Sequence, residues 1–128
     1  MLTTRQALAA GAPGFDARTL DAALKALGGT ATDSREIVIT SPDIAENGAA
    51  VPVAVISKQP DTQEIYILVE KNPTPLPAAF TIAEGTEPYV STRTKMGQST
   101  NVYAVVKVDG KPYSTFRETK VMLGGRGG

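Results

Sequence analysis

The chain has 128 residues, enough for one domain with a substantial core and too few for two. Lysine plus arginine balance aspartate plus glutamate at 13 each, so no global field recruits nucleic acid or an anionic membrane, and partners must be found by shape. Cysteine and histidine are both absent. That removes disulfides, thiolate nucleophiles, Cys-based metal sites, the usual general base at neutral pH and the commonest zinc ligand, and most enzyme classes with them.

The segment Met1 to Ala12 has neither the basic start nor the apolar centre of an export signal, and no apolar run reaches the length of a membrane span. Asp16 reads as an N-cap, with Phe15 and Leu20 placed to close a hydrophobic staple. Leu20, Ala23, Leu24 and Leu27 then recur at helical spacing until Gly28-Gly29, which predicts a short amphipathic helix over 16–27 lying against the domain body or a partner.

From there to the tail the pattern alternates, as in an all-β body. Strands are expected at Glu36 to Thr40, Ala50 to Ser57, Glu64 to Glu70, Ala79 to Ile82, Tyr89 to Thr94, Asn101 to Val108 and Lys111 to Met122. Asn47-Gly48, Gln59-Pro60-Asp61, Asn72-Pro73-Thr74-Pro75, Glu84-Gly85 and Asp109-Gly110 punctuate them. Asp109-Gly110 is the clearest hairpin, because a two-residue type I′ turn needs positive φ at both central positions. About seven short antiparallel strands fit an immunoglobulin-like sandwich without the antibody Cys and Trp core pattern; a small barrel is the alternative. Pro52 cannot donate to a ladder, so its strand is expected at an edge or with a bulge. Ile65-Tyr66-Ile67-Leu68-Val69 is apolar at every position, so both faces need cover, from the helix or from another subunit. On these grounds Ile65, Ile67, Val69 and Pro52 are taken as the partner interface.

Glu84 with Glu87, and Asp16 with Asp21, are read as turn and cap residues, since no ligand-spaced cluster surrounds them and no metal site is expected. Arg93, Lys95, Lys107, Lys111, Arg117 and Lys120 make the last third mildly basic, a solvated face or a local field that attracts an anion. The chain closes on Gly124-Gly125-Arg126-Gly127-Gly128. Glycine on both sides of one side chain makes a thin arm that presents only that side chain, about 10 Å past Leu123 when extended. The domain is thus expected at 1–122 and the arm at 123–128.

Several stretches together resemble one family. Ile44-Ala45-Glu46-Asn47-Gly48-Ala49 runs into Val51-Pro52-Val53. Val69-Glu70-Lys71-Asn72-Pro73 precedes Pro75-Leu76, and Thr92-Arg93-Thr94-Lys95-Met96 stands ahead of Ser99-Thr100. With the Gly-Gly-X-Gly-Gly end, these are similar to SoxY, the sulfur carriers of bacterial thiosulfate oxidation. The resemblance runs from the helix to the terminus and implies a periplasmic immunoglobulin-like sandwich paired with SoxZ, its signal peptide absent from this chain. It implies a non-enzymatic carrier without cofactor, holding sulfur on the cysteine of a Gly-Gly-Cys-Gly-Gly arm. That arm would visit a haem cytochrome ligase, a manganese-dependent sulfate-releasing hydrolase and a sulfane dehydrogenase in turn. Here the cysteine position is Arg126. A guanidinium forms no persulfide or thiosulfonate, so this chain cannot load sulfur. Removal of the thiol by alteration, a divergent paralogue competing for the same partners, and a direct role for Arg126 are the alternatives the sequence leaves open. A rival of another class is an immunoglobulin-like binding module with an irrelevant tail.

Overall fold

A computed structural model describes residues 5–7 and 14–122. Its helix, α1 (Leu20–Ala26), starts later than expected. Gly14, at φ 85°, opens a turn closed by the Ala17 N–H on the Gly14 carbonyl at 3.0 Å, and Asp16 is spent in that turn. Thr19 is the N-cap instead: its backbone is extended, and its hydroxyl accepts the Ala22 N–H at 3.1 Å. The far end closes as a Schellman motif. Gly28, at φ 124°, donates to Lys25 O at 3.2 Å and Gly29 donates to Leu24 O at 3.0 Å.

Among the described residues ten strands occur, in chain order β1 (Arg5–Ala7), β2 (Thr32–Asp33), β3 (Ile37–Thr40), β4 (Ile44–Ala45), β5 (Val51–Ser57), β6 (Thr62–Val69), β7 (Ala78–Thr81), β8 (Tyr89–Thr94), β9 (Thr100–Val108) and β10 (Lys111–Val121). They form two packed sheets, consistent with an immunoglobulin-like sandwich. The large sheet runs β1-β7-β6-β9-β10-β2 with β4 also on β10, and the small one runs β3-β5-β8. Each of the seven expected strands is present. The extra ones are β1, β2 and β4, and the last two pair with β10 in parallel. Asp109 and Gly110 sit at φ 52° and 79° between paired Val108 and Lys111, the expected left-handed hairpin turn.

The core lies between the sheets. Val51, Val53 and Val55 of β5 with Ile37 and Ile39 of β3 meet Ile65, Ile67 and Val69 of β6 and Val102, Ala104 and Val106 of β9. A second cluster lies on the outer face of the large sheet, where Ala23 of α1 and Leu27 at its C-cap pack with Tyr66, Leu68, Leu76, Ala79 and Val105. These two layers account for the all-apolar run of β6: odd residues fill the sandwich and even ones lie under the helix.

Two sequence expectations are corrected here. Ile65, Ile67 and Val69 have 0% of their surface exposed, so their cover is the opposite sheet and they offer a partner nothing. Pro52 lies in the central strand of the small sheet, and the register with β8 carries no bulge around it. The strand tolerates proline because β3 is short: its pairing with β5 ends at Thr40 and Ala54, so Pro52 has a strand partner only on the β8 side, at Arg93.

Candidate functional site

The end of β10, from which residues 123–128 leave, is pinned on both sides. Val121 donates to Ser99 Oγ at 2.9 Å, while Lys120 and Met122 donate to the Asp43 and Ala45 carbonyls at 2.9 and 3.0 Å. Beneath it Gly48 accepts the Met96 N–H at 2.7 Å, and a Cβ at Gly48 would run into the Met96 carbonyl and crowd Val121. Asn47 shapes that turn by accepting the Ala49 N–H at 2.9 Å. The Asn47-Gly48 turn therefore exists to let the chain pass close under the exit. Beside it Ile44 and Met122 are 57% and 58% exposed. The expected arm residues Gly124, Gly125, Arg126, Gly127 and Gly128 lie outside the described residues.

The outer face of the small sheet was missed by the sequence reading. Val38, Ile56 and Tyr89 stand opposite one another across its three strands, followed by Thr40, Ala54 and Ser91, then Pro52 and Arg93. Val38 is 40% and Tyr89 47% exposed, with Ile56 and Ala54 half-buried between them. Within those three rows Arg93 is the single charge. The signal was present in Val51-Pro52-Val53-Ala54-Val55-Ile56, as uniformly apolar as the run in β6. Pro52 is thus the one residue of the expected interface that lies on an open face.

The basic residues do not gather into one field. Lys95 and Lys120 are near the exit, Lys111 flanks the hairpin at the other end, and Arg93 belongs to the small sheet. Arg117 pairs with Asp43 at the surface. Glu84 and Glu87 lie in the connection between β7 and β8, and Asp21 lies in the first turn of α1. Among the described residues no three carboxylates converge in metal-binding geometry.

Two tyrosines are held away from ionisation. Burial pushes the Tyr66 hydroxyl well above its ordinary value, and its 2.7 Å hydrogen bond to Glu64 Oε1 pushes the same way. Tyr103, stacked on Phe116 with centroids 5.2 Å apart, is raised by burial first and then by the carboxylates of Glu70 and Asp21. Both stay neutral at physiological pH and serve packing.

Comparison with known proteins shows what the chain is similar to. The family model "Sulfur oxidation protein SoxY" matches residues 23–125. The structure is similar to that of the sulfur carrier protein SoxY from Chlorobium limicola f thiosulfatophilum, with TM-score 0.74, 39% sequence identity, and 84% of this chain and 95% of the other covered. A comparison with curated protein sequences gives no match. The chain belongs to the SoxY family of sulfur-carrier proteins, and it lacks the cysteine typical of the carrier site.

Proposed function

We propose that this chain is a SoxY-type carrier subunit that pairs with a SoxZ-type subunit through the outer face of its small sheet and presents residues 123–128 to the enzymes of the Sox system. SoxY-family proteins pair with SoxZ in the periplasm and shuttle substrate between enzymes without catalysing the steps themselves. The observation that carries the pairing is the row Val38, Ile56 and Tyr89, open on a sheet whose central strand, β5, is apolar on both sides. A sheet face of this kind is ordinarily covered by a second layer. The haem cytochrome ligase, the sulfate-releasing hydrolase and the sulfane dehydrogenase are the proposed receivers of the arm.

As it stands the chain carries no sulfur, because Arg126 offers a permanent cation where the chemistry needs a thiolate. The substitution favours a second reading, a divergent paralogue that occupies the same docking sites without loading. Copurification with a SoxZ-type protein tests the pairing, and a stable monomer that ignores that protein would overturn it. With the ligase and thiosulfate, Arg126→Cys is expected to gain the mass of a sulfur adduct, and an unmodified thiol under competent conditions would defeat the carrier reading. Deleting residues 124–128 separates an arm from an irrelevant tail: a binding module would keep its affinity for every enzyme of the pathway.

A further inference from the structure

We propose that the cleft between the β6–β7 and β8–β9 connections is a binding site for a small tetrahedral oxyanion such as sulfate, held by Lys71 and Lys95. The cleft has a volume of about 480 Å³ and is lined by Lys71, Asn72, Pro73, Thr74, Lys95 and Gln98 along with Gly97. Two lysines, one threonine and two carboxamide residues, Asn72 and Gln98, line this space, and no carboxylate lines it among the described residues. The neighbouring acid, Glu70, is drawn elsewhere: its Oε1 accepts from Asn101 Nδ2 at 3.2 Å.

The walls are built, not loose. Asn72 Nδ2 donates to Lys95 O at 2.8 Å, tying one connection to the other. Lys71 N–H donates to Thr100 Oγ1 at 3.0 Å and Val69 N–H to Pro75 O at 2.7 Å. Buried Leu76 anchors one wall and buried Met96 the other. The lysine backbones are therefore fixed before any ligand arrives, which lowers the ordering cost of binding. The cavity at the opposite end of the sandwich is larger, about 720 Å³, yet Lys58 is outnumbered there by Asp61, Glu84 and Asp109, so the same anion is disfavoured. The proposed cleft also adjoins the exit of the chain, since Gln98 precedes the Ser99 that pins Val121. It does not depend on the carrier reading.

Amide NMR of the full chain during addition of sulfate, with chloride as the control at constant low ionic strength, tests the site. Saturating shifts are expected at Lys71, Asn72, Thr74 and Lys95 to Gln98, with apparent affinity weakened by roughly tenfold or more when Lys71→Gln and Lys95→Gln are combined. Shifts that match those of chloride, or that spread evenly over Lys58, Lys111 and Lys120, would overturn the proposal. So would an unchanged sulfate response in the folded double variant. The unsubstituted chain alone gives a decisive result if that variant does not fold.

Discussion

The outer faces of the two sheets are built from the same kind of strand and end differently. In β6 the outward residues Tyr66 and Leu68 lie under α1, whereas in β5 the outward residues Pro52, Ala54 and Ile56 have no layer over them among the described residues. Strands apolar on both sides thus carry one instruction, to be covered, without naming the cover. Here the chain supplies one lid itself and leaves the other face open among the described residues.

The contrast predicts opposite responses to truncation. Leu68→Ala, on the covered face, should cost about 2–5 kcal/mol in chemical denaturation, because a fully buried leucine leaves a cavity. Alkaline pH probes the same face. Tyr66 has its folded pKa raised, so its contribution is complete below the unfolded value of 10.0 and is lost as pH climbs toward the folded value. Stability should fall by up to about 1.4 kcal/mol per pH unit above that point, and Tyr66→Phe should flatten the fall. Thr19→Ala removes the cap of the lid and should cost about 1 kcal/mol in the same denaturation assay. On the open face, Val38→Thr or Tyr89→Ser should move stability by about 0.5 kcal/mol or less while weakening capture of a SoxZ-type partner. A large stability loss there, or none at Leu68, would erase the distinction between the two faces.

The sequence made the seven longer strands and the Asp109-Gly110 hairpin legible because each carries its own local signal: alternation or a continuous apolar run over four residues or more, or a turn that demands positive φ. β2 and β4 carry no such signal, being two residues each and held by parallel pairing to a strand far along the chain. Asp16 and Thr19 are both competent caps, and the choice between them fell to the turn at Gly14, a tertiary detail. The burial of the expected interface residues Ile65, Ile67 and Val69 escaped the sequence for a related reason. Both Ile65 to Val69 and Val51 to Ile56 ask for cover, and only the packing of α1 decides which run is already satisfied. The family resemblance was legible from motif order, and the family match supports it, while the arm motif at 124–128 falls outside the described residues.

The eleven residues of β10 lie along β9 from Lys111 to Thr119 and continue beside β4 to Val121, the strand axis leading straight to the exit. Tension applied to the terminus therefore loads many rungs of two ladders at once, in shear, instead of peeling them singly. A pull along β10 can thus be borne without unravelling the body, the strand being anchored like a rope spliced along a beam.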